Sequence, residues 1–170
     1  MKADEFQAEF PRRHRLPHVI PGWVVQGARH YITLQAKDRI AKPFSDPRVA
    51  KALLDAFLFY DEIHRWFLWT AMIMPDHLHF VATFDLSYGL RKTVNVWKRY
   101  QGRRLGVQFQ SDFFEHRIRD EKAFLEKVSY IRMNPVRKGY VSNPEEWPYA
   151  WTRGQTNQIP DKAEQSIARE

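Results

Sequence analysis

The chain has 170 residues, 44% of them hydrophobic and 15% aromatic, a composition typical of one globular domain spanning 1–170. It has no cysteine, which excludes disulfides and thiolate metal sites, and no apolar run approaches the roughly 20 residues that cross a bilayer. The net charge of +7 favours nucleic acid as a partner over a membrane, the alternative being a solvated basic surface without a partner.

The first third of the chain predicts an arm, a strand and a helix. Residues 1–22 are polar and contain several prolines, so we expect an N-terminal arm with little structure of its own. This arm has no apolar segment of a secretory signal, which together with the missing cysteines predicts a cytoplasmic protein. Alternating apolar residues over 29–37 predict a first strand. Asp46, followed by a proline, is a typical helix N-cap, and helical spacing continues to about His64.

The next stretch predicts a β-hairpin that carries two histidines. The apolar run 66–74 is short and rich in strand formers, and a Pro-Asp turn separates it from the strand HLHFVATF. Strand side chains alternate between faces, so His77 and His79 share one face while Leu78 and Phe80 point into a core on the other. Imidazole is the commonest side-chain metal ligand, although a lone His-x-His pair is more often a surface or hydrogen-bonded pair.

A basic helix is predicted over 87–104, within an interval that has no acidic residue from 86 to 111. Its candidate DNA-contacting residues are Arg91, Lys92, Trp97, Lys98, Arg99, Arg103 and Arg104. The alternative is that the aromatic residues pack into the core and the charged residues face solvent. A strand over 113–119 follows, and residues 152–170 are expected to form a flexible tail.

A last helix is predicted from Asp120, its N-cap, to about Asn134, where Pro135 should end it. At 100° per residue, its core stripe contains Phe124, Leu125, Val128 and Ile131. Tyr130 falls well off this stripe, with Asn134 beside it one turn later. An interfacial tyrosine with a wet hydroxyl is the alternative to a functional one.

The order of elements is strand, helix, strand, strand, helix, strand and an extra helix. This βαββαβ order predicts an α+β fold with a ferredoxin-like antiparallel sheet, helices on one face and a C-terminal helix that carries Tyr130. The histidines should then lie on the open face. Phosphodiester transesterification would join these parts, because a metal ion bound by His77 and His79 can polarise a phosphate that a tyrosine attacks. Asn134 could complete the coordination, and Mg²⁺ or Mn²⁺ suits such ligands.

Several segments of the sequence resemble those of a known family. His-Leu-His at 77–79 matches the motif of HUH-type nucleases, and YIRMNPVRKGYVSNPEEWPYAW, with MPDHLHFV, VWKRYQGRR and FFEHRIRD, resembles the REP-associated tyrosine transposases over about 29–151. The resemblance implies a metal-dependent endonuclease and strand transferase acting on single-stranded or hairpin DNA, as a monomer or homodimer. It implies that Tyr130 forms a 5′-phosphotyrosine. Asn134 stands where related insertion-sequence enzymes carry a glutamine ligand.

The sequence alone is compatible with two other functions. A non-catalytic single-stranded nucleic-acid-binding module of ferredoxin-like fold would stack bases on exposed aromatics such as Tyr31. A metal hydrolase acting on a small substrate would need a general base, for which Asp76 or Glu115 could serve. His116 is a candidate for orienting the tyrosine helix or contacting phosphate, but not for binding the metal.

Overall fold

The structure, a computed structural model, describes residues 22–155. Its strands are β1 Arg29–Gln35, β2 Trp66–Ile73, β3 His77–Phe84, β4 Phe114–Ile118 and β5 Ala150–Thr152. Its α-helices are α1 Gly22–Gln26, α2 Pro47–Glu62, α3 Leu90–Leu105 and α4 Glu121–Arg137. The strands form one antiparallel sheet in the order β4-β1-β3-β2-β5. Within 22–155 no helix has the length and apolarity required to cross a membrane.

The far end of the sheet differs from the sequence prediction. The sequence predicts four strands, and the structure adds β5, which pairs with β2. The predicted tail therefore starts too early, because Thr152 belongs to β5 and the Arg153 guanidinium forms an ion pair with Asp61 at 2.6 Å. The rest of the tail, from 156, and nearly all of the predicted N-terminal arm lie outside the described residues.

The face of the sheet that meets α2 and α3, here called the helix face, holds the larger core. Leu78 and Phe80 of β3 are fully buried there, as strand alternation predicts. Phe57 of α2 packs its ring centroid 4.7 Å from that of Phe80 and 4.5 Å from that of Trp97 in α3. Burying several aromatic rings in contact contributes on the order of 2 kcal/mol for each side chain, which fixes α2 and α3 to this face.

The opposite face, here called the histidine face, was expected to stay open, and this expectation is wrong. A second core forms on it from Tyr31, Met72, Met74, Val81, Ile118 and Ile131. The physical reason is that β2 and β3 carry apolar side chains on both faces. Met72 and Val81 would be exposed without a cover, and Ile131 of α4 supplies one.

Helix α4 begins as predicted and ends later. The Asp120 side chain accepts a hydrogen bond from the Ala123 N–H at 2.8 Å, which is an N-cap. The helix continues through Pro135 to Arg137, whereas the proline was predicted to end it. The next turn keeps its bond, since the Lys138 N–H donates to the Asn134 carbonyl at 3.0 Å, and burial of the proline ring offsets its local cost.

The buried stripe of α4 is also rotated from the predicted one. Leu125 is 60% exposed, although it was assigned to the core. Ile131, Asn134 and Pro135 are the buried residues of the helix. The contact with the sheet is therefore concentrated in the second half of α4, close to Tyr130.

Candidate active site

His77 and His79 lie at the start of β3, the middle strand of the sheet. Their side chains share the histidine face, with ring centroids 4.6 Å apart and planes inclined by 75°. Thr33 of β1 lies directly opposite His79. Only 7% of His77 and 5% of His79 is exposed, so backbone pairing and cover by α4 hold both rings in place.

One ring nitrogen of His77 is already engaged. Its Nδ1 lies 2.6 Å from Oδ1 of Asp76, whose other oxygen accepts a hydrogen bond from Nε of Arg39 at 2.8 Å. Burial lowers the pKa of His77, and the Asp76 carboxylate opposes this effect. Burial alone would raise the pKa of Asp76. Hydrogen bonds from His77 and Arg39 to the carboxylate outweigh this effect, so the pKa lies below its ordinary value. A proton on Nδ1 leaves the lone pair of Nε2 for another ligand.

The same arrangement recurs at His79 with hydroxyl groups as partners. Its Nδ1 lies 2.9 Å from both the Tyr31 hydroxyl and Oγ1 of Thr33, and Thr33 also donates to Tyr31 at 3.1 Å. Burial, followed by the neighbouring His77, lowers the pKa of His79 to about 3, so the ring is neutral at pH 7. Among the described residues, neither histidine uses Nε2 in a hydrogen bond.

Tyr130 reaches the histidines from α4. Its ring meets that of His79 edge to face, with centroids 6.2 Å apart, while 41% of the residue remains exposed. Two cations flank the phenol ring, the Lys127 ammonium at 5.3 Å from its centroid and the Arg137 guanidinium carbon at 4.7 Å. Tyr130 is therefore outside the core, in contact with His79 and accessible to solvent.

Asn134 is buried one helical turn after Tyr130. Because Tyr130 contacts His79, this part of α4 lies beside the histidines. Within 22–155 no three His, Asp or Glu side chains form a cluster that could hold an ion. Two imidazole nitrogens and one amide oxygen nevertheless fit Mn²⁺ or Mg²⁺ chemically, since water and substrate oxygens commonly complete their coordination.

Two of the predicted DNA-contacting residues of α3 are structural. Trp97 is fully buried in the core of the helix face. The Lys98 ammonium is buried and donates to the carbonyls of Gln110 and Ser111 at 2.6 and 3.0 Å, so it holds the loop before β4. Both residues lie on the buried side of α3. The prediction that they contact DNA is therefore wrong.

The remaining basic residues of α3 are exposed: Arg91, Lys92, Arg99, Arg103 and Arg104. Arg99 and Arg103 line, with Lys37, a groove of about 600 Å³ that also includes the Gln108 and Gln110 side of the loop. Because α3 packs on the helix face, the structure does not bring these residues to the histidines. The basic helix and the candidate active site lie on opposite faces of the sheet.

Three further expectations are resolved by the positions of polar side chains. Tyr31, predicted to be exposed, is buried and bonded to His79, and sequence alternation already places it on the same face as Thr33. Glu115 lies 2.6 Å from His30 and Asp76 is held by His77, so each carboxylate has a partner. His116 is exposed on β4, opposite Tyr31 on the histidine face, and makes no described hydrogen bond to either histidine of β3.

Comparisons with known proteins agree with the motifs. No family model matches the chain. The chain is 31% identical over 94 residues to the REP-associated tyrosine transposase of Escherichia coli, covering 52% of this chain and 53% of that protein. It is 33% identical over 96 residues to a Haemophilus influenzae protein described under the same family name, covering 46% and 54%. The chain thus spans about half the length of the curated relatives that it matches.

A solved structure shows a related fold. A REP-associated tyrosine transposase bound to a REP hairpin superposes with a TM-score of 0.64 and 21% identity, over 83% of this chain and 81% of that one. The two proteins therefore share a mixed fold of helices and an antiparallel sheet. The resemblance to REP-associated tyrosine transposases that the motifs indicated is confirmed, over about half of this chain at the level of sequence.

Proposed function

We propose that this protein cleaves and rejoins single-stranded, hairpin-forming DNA in a metal-dependent reaction, with Tyr130 as the nucleophile. The observation that carries the proposal is the contact of the Tyr130 ring with His79, centroids 6.2 Å apart, beside two Nε2 atoms free of described hydrogen bonds. The similarity to REP-associated tyrosine transposases supports a transposase-like, DNA-binding function.

The residues around the histidines suit a divalent ion. Nδ1 of His77 faces a carboxylate and Nδ1 of His79 faces two hydroxyls, which is how ligating histidines are usually oriented. His77 and His79 would hold Mg²⁺ or Mn²⁺ through Nε2, and the amide oxygen of Asn134 is the third proposed ligand. Such an ion supplies charge that polarises a phosphate oxygen. The three side chains fix where that phosphate binds relative to Tyr130.

The reaction is a transesterification. The phenol oxygen of Tyr130 loses its proton to solvent and forms a bond to phosphorus, and the bond from phosphorus to the 3′ oxygen breaks. The 3′ oxygen leaves with the electron pair and takes a proton, giving a free 3′-OH and a 5′-phosphotyrosine. Attack by a 3′-OH reverses the step and rejoins the strand without ATP. The exposure of Tyr130 is what admits a DNA strand to the phenol.

Hairpin DNA is the proposed partner for two reasons. The net charge of +7 suits a polyanion, and the structure with the same fold holds a REP hairpin in that protein. We also propose that β1-α2-β2-β3-α3-β4 forms a ferredoxin-like unit, to which α4 and β5 are added. The cytoplasm as compartment, and a monomer or homodimer as the active form, stay predictions.

The test is covalent capture of DNA. The protein is incubated with single-stranded hairpin DNA and Mn²⁺ or Mg²⁺, and we expect an adduct that survives SDS and is absent with EDTA. Tyr130→Phe should abolish the adduct while DNA binding is retained. Tyr140→Phe is the matched control, because Tyr140 is 42% exposed and lies just beyond α4. An adduct that survives Tyr130→Phe, or none with any of a range of repeat-like hairpins, overturns the proposal.

The two rival functions lose structural support. A binding module that stacks bases on Tyr31 would need that ring exposed, and it is buried against His79. A hydrolase would need a carboxylate base, and both candidates already have partners on His77 and His30. DNA binding that is unchanged by His77→Ala, without an adduct from the wild type, is the result that would favour the binding module.

A further inference from the structure

The ammonium group of Lys127 lies between two phenol rings at the candidate active site. Its Nζ is 4.4 Å from the ring centroid of Tyr31 and 5.3 Å from that of Tyr130. Each of these rings contacts His79, Tyr31 by stacking at 5.6 Å and Tyr130 edge-on at 6.2 Å. Lys127 therefore lies where the proposed nucleophile and the proposed metal ligand meet, one helical turn before Tyr130.

This cation has no anionic partner in the part of the chain that the structure describes. Two other cations of the sheet are paired, Arg29 with Glu121 and Arg39 with Asp76, whereas no hydrogen bond or salt bridge to Lys127 occurs among residues 22–155. Lys127 is also partly buried, which makes an unpaired charge costly. Contact with the faces of the Tyr31 and Tyr130 rings recovers part of that cost. The site is suited to receive an anion.

We propose that Nζ of Lys127 donates a hydrogen bond to a non-bridging oxygen of the phosphate that Tyr130 attacks. The inference rests on the proposed function and deepens it by assigning a residue to the phosphate itself. The ammonium is 5.3 Å from the centroid of the Tyr130 ring, so the non-bridging oxygens of a phosphate bonded to the Tyr130 oxygen are within reach of this long side chain. Lys127 keeps its proton throughout, so the bonds that form and break are those of the transesterification.

Arg137, the other cation at the Tyr130 ring, is a weaker candidate for this role. It is exposed, and its described ring contact is with Tyr130, not with Tyr31. Lys127 contacts both rings that flank His79.

The experiment measures the single-turnover rate of adduct formation at saturating hairpin DNA and Mn²⁺. Lys127→Met keeps most of the apolar length of the side chain and removes its charge, and we expect the rate to fall by roughly 10²-fold to 10³-fold, as for loss of a donor to transition-state charge. Lys127→Arg should recover part of the rate. Lys122→Met is the matched control, an exposed lysine on another side of α4, and should react like the wild type.

Two further measurements separate phosphate contact from a structural role. The Mn²⁺ dissociation constant and the melting temperature of Lys127→Met should stay close to wild type, with Lys127→Gln as a second neutral variant if the first is unstable. A rate that excess Mn²⁺ restores would mean that Lys127 acts through the metal site, which overturns the inference. Equal rates for wild type and Lys127→Met overturn it as well and leave the proposed function standing. No adduct from the wild type overturns both.

Discussion

His79 on β3 and Tyr130 on α4 meet edge to face, with ring centroids 6.2 Å apart. The sheet alone cannot produce this contact, because it fixes only the face on which His79 lies. The contact exists because α4 crosses the histidine face and buries Ile131 in the second core. Packing in this small core therefore sets the distance between the proposed nucleophile and the proposed metal ligands.

The two hydroxyls at Nδ1 of His79 should act as a redundant pair. One N–H can donate to only one of them, and Tyr31 and Thr33 lie at the same distance of 2.9 Å. We expect Tyr31→Phe and Thr33→Val each to weaken Mn²⁺ binding only a few-fold, since the other hydroxyl remains. The double variant should lose roughly 10-fold to 100-fold, the usual effect of removing the partner of a ligating histidine. Calorimetric titration with Mn²⁺ measures all three.

Asp76 should be needed for metal affinity although it is not a proposed ligand. Its carboxylate orients His77 through the 2.6 Å contact to Nδ1, and an amide would be a weaker acceptor. We expect Asp76→Asn to raise the Mn²⁺ dissociation constant by roughly 10-fold to 100-fold. Asp55→Asn is the control, because Asp55 is exposed on α2 and pairs only with Lys51 among the described residues. Equal affinities for wild type and Asp76→Asn would show that His77 does not depend on this partner.

The features that follow from backbone periodicity could be predicted from the sequence. Strand alternation places His77 and His79 on one face whatever surrounds the strand, because the period of two is a property of the chain itself. The helical period similarly places Tyr130 outside the predicted core stripe of α4. The strands β1 to β3 and the helices α2 and α3 were found because their apolar residues extend over seven or more positions, whereas β4 is a five-residue strand with one buried residue.

The features that depend on tertiary packing could not be predicted. Pro135 has an unfavourable local effect, and its burial, which the local sequence does not show, offsets that effect so that α4 continues past it. The three residues of β5 are too few to carry a pattern, and pairing with β2 creates that strand. By contrast, Val94, Trp97 and Gln101 recur at helical spacing, so the inward position of Trp97 was readable from the sequence.

Acid should destabilise the metal-free protein partly through His79. Its pKa in the folded chain is about 3, below the ordinary 6.5, so between these values the unfolded chain binds the proton and the folded chain does not. The contribution of the neutral ring to stability is thus complete above pH 6.5 and is lost as pH falls toward 3. From pH 7 to pH 5 this amounts to about 2 kcal/mol.

The measurement is urea denaturation in EDTA for wild type and His79→Gln. The variant should lose about 2 kcal/mol less than the wild type when the pH changes from 7 to 5. His77 remains in both proteins, and its pKa is also lowered in the folded chain, so the variant should still lose some stability over this pH range. Between pH 8 and pH 7 the two proteins should change alike. Parallel curves down to pH 5 would show that His79 is protonated in the folded chain.

Arg99 and Arg103 should contribute to the salt dependence of DNA binding, if the groove that they line with Lys37 tracks a strand. Each phosphate contact adds about 0.7 to 0.9 to the slope of the logarithm of affinity against the logarithm of salt concentration. Replacing both arginines by glutamine should therefore lower the slope by about 1.4 to 1.8. Because the groove is on the helix face, the rate of adduct formation at saturating DNA should be unchanged.

Lys98 provides a contrast within the same helix. Its ammonium bonds to the carbonyls of Gln110 and Ser111, so Lys98→Met should leave the salt slope at its wild-type value and reduce the free energy of unfolding by about 1 to 3 kcal/mol. Lys51→Gln on α2, exposed and paired with Asp55, serves as a control for loss of surface charge. A slope that falls as much for Lys98→Met as for the arginine variants would mean that the buried ammonium reaches DNA. An unchanged slope in the double arginine variant would assign the charges of Arg99 and Arg103 to a solvated surface.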